Sequence, residues 1–244
     1  MNPNEHLIIP DWPAPFNVKA MQTTRRGGVS NAPYDTLNLG LHVGDSAMAV
    51  EQNRMRLSHF FPGEPVWLEQ VHGTMVADAD SAACFPRADA CIGRRGVCVV
   101  MTADCLPILL CDMAGTVVGA VHAGWRGLAA GIIEATVASM NVAPENLIAW
   151  LGPAISQPAF EVGEEVRAAF VDLDNEANSA FISGAPGKYY ADIYRLARRR
   201  LNVLGVRDVY GGNRCTYRET EQFFSYRRDG ATGRMGTFIW LQGQ

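Results

Sequence analysis

With 244 residues and an apolar fraction of 48%, the chain is long enough to bury a sizeable core, and a single domain over residues 1–244 is its simplest organisation. A net charge of -4 supplies no positive field to collect polyanions, which argues against nucleic acid as a partner. A membrane is equally disfavoured: no apolar stretch reaches the roughly 18 residues that cross a bilayer, and the nearest, 97–121, is interrupted by Asp104, Pro107, Asp112 and Gly115.

The opening carries Pro10, Pro13 and Pro15 and no basic start before an apolar run, so it does not read as a signal peptide. An extended segment over 16–23 leads into the glycine turn Arg26-Gly27-Gly28. Ser46 is a good N-cap for a helix reaching Phe60, which Pro62 and Gly63 then end. Segments 65–71, 97–102, 108–111 and 116–121 read as strands, short and so strongly apolar that burial on both faces is implied.

After Val121 the run His122-Ala123-Gly124-Trp125-Arg126-Gly127 leads into Leu128, Ile132, Ile133 and Val137 at helical spacing, which marks a strand-to-helix junction. Further strands and helices follow: a strand over 147–151, and helices over 162–170 and 192–204. Arg198, Arg199 and Arg200 lie near the C-terminal end of the last helix and read as a solvated basic face. Segments 223–227 and 237–241, joined through Asp229-Gly230-Ala231-Thr232-Gly233, look like a closing hairpin. Strands and helices mix without a regular βαβ rhythm, which predicts an α+β fold of mixed β-sheets flanked by helices. Of the six cysteines, Cys98 and Cys111 sit inside apolar runs; without an export signal, reduced thiols and a cytoplasmic setting are expected.

Any imidazole-based site must draw on five histidines. His6 and His59 read as ordinary surface or capping residues. His72 and His122 differ, because each follows an apolar strand and has a glycine within two residues, and strand ends carry side chains into clefts. Cys105 lies in the connection between two apolar runs, again at a strand end. Two neutral imidazoles and one thiolate make a three-ligand zinc site whose fourth position stays open, which is the catalytic arrangement. Two other readings stay open on spacing alone. One is a hydrolytic dyad of Cys105 with either histidine; the other is a buried cysteine beside unrelated histidines.

Five ordered blocks resemble the signatures of the YfiH or laccase-domain family. They are Thr24-Arg25-Arg26-Gly27-Gly28-Val29-Ser30 with Leu37-Asn38-Leu39-Gly40, then Trp67-Leu68-Glu69-Gln70-Val71-His72-Gly73, then the run from Thr102 to Leu110, then Ala120 to Gly127, and finally Arg228 to Gly236. The resemblance implies that His72, Cys105 and His122 bind zinc and form the catalytic centre. It also implies a compact fold similar to the catalytic domain of cytotoxic necrotizing factor toxins, whose Cys–His pair keeps the dyad reading in play.

Members of that family have been called multicopper polyphenol oxidases, purine nucleoside phosphorylases with adenosine deaminase side activity, and peptidoglycan editing factors. A multicopper oxidase needs a copper cluster held by paired histidines, and no His-x-His occurs here; copper in one such site would oxidise phenols only slowly in vitro. An open zinc site suits deamination of adenosine. Phosphorolysis of adenosine, inosine, guanosine or methylthioadenosine needs in addition a positioned phosphate. Arg26, beside the Gly27-Gly28 pair, is the candidate for that contact. Asn38 and His42 are candidates for contacts to base or ribose, with a turn-stabilising role as the alternative. The expected partners are a nucleoside and phosphate, and the expected state is a monomer. Hydrolytic editing of a cell-wall precursor and a non-catalytic zinc-binding regulator are the competing functions.

Overall fold

The computed structural model describes residues 6–82 and 84–243. The reading of the N-terminus as lacking a signal rests partly on Met1–Glu5, which lie outside the described residues. The short β1 (Leu7–Ile8) and β2 (Val18–Thr23) come first, followed by α1 (Ala47–Leu57), β3 (Pro65–Val66), β4 (Val76–Asp78) and β5 (Ala90–Gly93). Next are the apolar strands β6 (Val97–Thr102), β7 (Leu106–Asp112) and β8 (Val118–Ala123), then α2 (Trp125–Ala130), α3 (Ile132–Met140) and β9 (Leu147–Leu151). The second half holds β10 (Glu161–Gly163), α4 (Glu164–Val171), β11 (Phe181–Ser183), β12 (Lys188–Ala191), α5 (Ile193–Leu204), β13 (Asp208–Gly211), α6 (Tyr226–Asp229) and β14 (Met235–Leu241).

Every residue of β6, β7 and β8 is buried, which follows from apolar side chains on both faces of the strand. A five-stranded sheet runs β1-β2-β14-β6-β3 and a six-stranded sheet runs β13-β9-β7-β8-β5-β4, with a small third sheet β10-β12-β11. The two large sheets mix parallel and antiparallel pairs, so the α+β expectation holds. Successive side chains of a strand point to opposite faces, and β7 shows both destinations. Leu106, Ile108 and Leu110 pack with Ile132 and Ile133 of α3 and Leu196 and Leu201 of α5. Leu109 and Cys111 pack with Cys98 and Val100 of β6 and Ile239 of β14, between the two sheets. The far face of the five-stranded sheet is covered by Leu37, Leu39, Leu57 and Trp67, with Phe61 stacked on Phe238 at 4.8 Å.

Several local expectations are corrected. The 65–71 strand is reduced to β3, because the Gln70 amide takes the place of a strand partner: it donates to the Met101 carbonyl (2.8 Å) and accepts from the Met101 N–H (2.7 Å). The closing hairpin does not form. Phe223 and Phe224 are fully buried beside Ala103 and Met235, Ser225 caps α6, accepting from the Arg228 N–H, and β14 pairs instead with β2 and β6. The helix after Gly127 is broken in two at Gly131, whose φ of 100° is left-handed. The arginine run is not a free solvated face: Arg198 donates to the carbonyls of Val209 and Gly211, Arg199 pairs with Asp174 and Glu176, and Arg200 pairs with Glu134. All six cysteines are free thiols, and no helix among the described residues is long and apolar enough to cross a membrane.

The loop after β9 is fixed by one phenol. The buried Tyr194 hydroxyl of α5 accepts from the Ala154 N–H (2.7 Å) and donates to the Arg214 carbonyl (2.8 Å). Next in the chain, the Ile155 N–H donates to the Asp104 carbonyl (3.0 Å), so this phenol supports the turn that carries Cys105. Tyr194→Phe removes the hydroxyl and leaves buried backbone groups unmatched, and a loss of about 1–3 kcal/mol is expected. Urea unfolding of the two proteins measures it; equal midpoints would show that the loop is held elsewhere.

Candidate metal centre

Two crossings between the large sheets end at the same place. The chain leaves the five-stranded sheet at β3 and enters the six-stranded sheet at β4, and His72 lies on that path; it leaves again at β6 and enters at β7, and Cys105 lies on that one. His122 is near the end of β8, in the six-stranded sheet and paired with Pro107. The donor atoms of His72, Cys105 and His122 all lie within 4.8 Å of one another. Cys105 Sγ is 3.7 Å from His72 Nε2, and the two imidazole rings meet edge to face with centroids 4.7 Å apart.

Both crossings need unusual backbone. His72 and Asp104 adopt left-handed conformations, with φ of 60° and 93°, which a non-glycine residue keeps only when its surroundings hold it. Asp104 is held through its side chain, which accepts from the Thr216 hydroxyl (2.6 Å) and the Arg227 N–H (2.7 Å). His72 is held by Asp89. This fully buried carboxylate accepts from the backbone N–H groups of Val71 (3.2 Å), His72 (2.9 Å) and Gly73 (2.7 Å). The same carboxylate lies 2.8 Å from Nδ1 of His122, which keeps a proton on Nδ1 and makes Nε2 the nitrogen that would ligate a metal once its own proton is given up. Burial alone would raise the Asp89 carboxyl, but the His122 hydrogen bond and the backbone donors outweigh it and keep it ionised.

The thiol and imidazole act on each other. Burial pushes the Cys105 thiol up, yet the nearby His122 and His72 overcome this and bring it down to about 6. His122 is opposed by its own burial and lifted by Cys105 and Asp89 to about 9. A thiolate is therefore available at neutral pH, the form that both ligates metal and attacks carbonyl carbon.

The donor set fits a metal. Ligands about 2.0–2.3 Å from a tetrahedral zinc lie roughly 3.3–3.8 Å from each other; the 3.7 Å separation of Cys105 and His72 falls in that span, and the three donors together, within 4.8 Å of one another, would draw in slightly around an ion. The space is kept clear by Gly124, where an added Cβ would stand 2.6 Å from His72 Cδ2 and 3.1 Å from Cys105 Sγ. His72 is exposed, Cys105 half-buried and His122 buried, so the group opens to solvent on the His72 side.

The remaining sequence candidates are distributed unevenly. His42 stands near the centre: partial burial and the charges of Arg234, Arg54 and His122 hold its imidazole below the usual histidine range. Asn38 is fully buried, and its side chain is spent on holding that loop. Its amide donates to Asp45 (2.9 Å), and its oxygen accepts from the N–H groups of Gly40 (2.9 Å) and Arg234 (2.9 Å). Arg26 is engaged with Glu221, through its carboxylate at 2.7 Å and its carbonyl at 2.7 Å, in a separate cleft shared with Arg25, Asp35 and Thr220. Asp89 is absent from the sequence reading. Its only local signal is an acid set among alanines, Ala88-Asp89-Ala90, at the start of an apolar strand.

Comparison with known proteins agrees with this architecture. A family model described as multi-copper polyphenol oxidoreductase laccase matches residues 19–242. The chain is 57% identical over 240 residues to the purine nucleoside phosphorylase YfiH of Shigella flexneri, covering 96% of this chain and 98% of that one. It is 48% identical to a purine nucleoside phosphorylase of Haemophilus influenzae, covering 96% and 99%. Among solved structures, a Neisseria meningitidis protein assigned to DUF152 superposes with a TM-score of 0.96 at 51% identity, covering 98% of this chain and 100% of that one. YlmD from Geobacillus stearothermophilus superposes with a TM-score of 0.87 at 33% identity, covering 93% of each. The chain therefore belongs to the laccase-domain family of YfiH-like proteins.

Proposed function

We propose that this protein is a zinc-dependent purine nucleoside phosphorylase of the cytoplasm, with deamination of adenosine as a side reaction. The observation that carries the reading is full-length identity of 57% to a protein named for that activity, joined to a compact His–Cys–His donor group. In phosphorolysis a phosphate oxygen bonds to C1′ of the ribose as the bond from C1′ to the purine breaks. The purine leaves with the electron pair and takes up a proton, giving ribose 1-phosphate and free base.

His72, Cys105 and His122 would hold the metal. When bound, zinc supplies a Lewis acid beside the substrate. Asp89 fixes the ring of His122 through Nδ1 and the backbone turn at His72, so both residues are placed before any ligand arrives. Asn38 holds the loop that presents His42, a neutral imidazole available to the base or ribose. The five histidines of the chain do not suffice for the paired-imidazole cluster of a multicopper oxidase, and His72–Cys105–His122 is the one three-residue donor group among the described residues. We therefore read the oxidase name of the family model as a family label and not as this protein's chemistry.

Three outcomes are expected. Inosine incubated with the zinc-loaded protein should release hypoxanthine only when phosphate is present, with ribose 1-phosphate as co-product; equal release without phosphate would make the protein a hydrolase and overturn the reading. The purified protein should carry about one zinc, and His72→Ala, Cys105→Ala and His122→Ala should each lose both metal and turnover. Stoichiometric zinc in Cys105→Ala, by elemental analysis, would show the donor set to be wrongly drawn. Asp89→Asn replaces an acceptor-only group by one that cannot serve all its donors, and zinc affinity measured by chelator competition should fall roughly 10- to 100-fold. An unchanged affinity would show that the imidazoles are oriented without it.

A further inference from the structure

Two half-buried arginines, Arg54 and Arg234, both act with their charge on His42. Arg54, on α1, donates from Nε (3.0 Å) and Nη2 (2.8 Å) to the Leu39 carbonyl and lies flat on the Trp67 ring, 3.6 Å from its centroid. Arg234 donates from Nη1 to the carbonyls of Thr232 (3.0 Å) and Gly233 (3.0 Å). Its Nε and Nη2 make no hydrogen bond among the described residues. Neither arginine forms an ion pair among the described residues, and Arg234 has two guanidinium nitrogens left without a hydrogen bond where Arg54 has only Nη1.

Arg234 is held next to the turn that carries Cys105. It immediately precedes β14, whose Met235 pairs with Thr102 of β6, so it stands against the crossing that carries Cys105 three residues later. Its Cγ lies 2.9 Å from the point where a Cβ on Gly40 would sit, and His42 Cε1 lies 3.4 Å from the same point; the two side chains thus flank one bare glycine. Thr232, whose carbonyl accepts from Arg234, has a buried hydroxyl without a hydrogen-bond partner among the described residues, and the residue is only 1% exposed. A guanidinium with two unbonded nitrogens, an imidazole and an idle buried hydroxyl together suit a tetrahedral oxyanion, whose several acceptor oxygens would satisfy them at once. The fields of Cys105 and Asp104 already act on Arg234.

We propose that Arg234, with His42 and Thr232, forms the oxyanion subsite that holds inorganic phosphate beside the His72–Cys105–His122 group. This assignment rests on the nucleoside phosphorylase reading and adds to it the residue that recognises the second substrate. It gives that role to Arg234 instead of Arg26, whose charge Glu221 already takes.

The test uses the zinc-loaded full chain and inorganic phosphate. Calorimetric titration should show phosphate binding to the wild type, weakened roughly 10- to 100-fold in Arg234→Gln, as loss of a charge-assisted hydrogen bond implies, with zinc content unchanged. In turnover, the same variant should raise KM for phosphate by a similar factor while KM for inosine moves little. Should Arg234→Gln fail to fold, the wild type decides the matter: saturating phosphate should shield Arg234, and not Arg26, from modification by phenylglyoxal, read by peptide mass spectrometry. The assignment is overturned if the wild type binds no phosphate, if Arg234→Gln binds it as the wild type does, or if phosphate protects Arg26 and leaves Arg234 reactive. Phosphate binding that is lost in Arg234→Gln, in a protein that does not split nucleosides, would keep the anion subsite and remove the nucleoside reading. Phosphorolysis with an unaltered phosphate KM in that variant would do the reverse.

Discussion

The arrangement depends most heavily on the buried carboxylate of Asp89. A carboxylate withdrawn from water is costly unless its lone pairs are filled, and here they are filled by three consecutive backbone N–H groups and one imidazole. The backbone is tied in as well: the His122 N–H donates to the Asp89 carbonyl at 2.7 Å. One residue thereby fixes a loop and a strand end to each other, and those two carry the histidines. The negative charge it holds adds to that of Cys105 in raising the proton affinity of His122, and His122 in turn eases the ionisation of Cys105.

The second constraint is topological. Strands β6 and β7 are consecutive in sequence yet belong to different sheets, so the chain must turn out of one layer and into the other within residues 103–105. Ordinary backbone does not make that turn, which explains the left-handed Asp104 and the four groups that hold it: Thr216, the Arg227 N–H, the Ile155 N–H and, through its loop, Tyr194. Residue types that look unremarkable in the second half of the chain thus serve the position of a cysteine in the first half.

How much could be read from the sequence follows from the range of each interaction. The apolar runs that became β6 to β9 were legible because burial on both faces leaves a local mark in every residue. His72, Cys105 and His122 were legible as candidates because each stands at the end of such a run or close beyond it, and as a group through the resemblance of their blocks. The aromatic run at Phe223 misled, since its residues are buried in irregular backbone and not in a ladder. Asp89 gave no usable signal because its partners lie 16–18 residues before it and 33 after it. Arg26 and Arg234 look alike in sequence, each beside glycine in a family block. What separates them is Glu221, 195 residues away from Arg26, and no local pattern carries that information.

His72 and Cys105 sit on two passages between the sheets and His122 on a strand of the six-stranded sheet, so the donor group lies where the two layers are joined by the chain. An ion held there would join the layers by bonds that the unfolded chain cannot offer in the same geometry, so its binding free energy would add to the cohesion of the whole sandwich. The candidate metal centre and the join between the two sheets would then be one place. Metal supply would set how firmly the two layers stay together as well as how much of the enzyme is active.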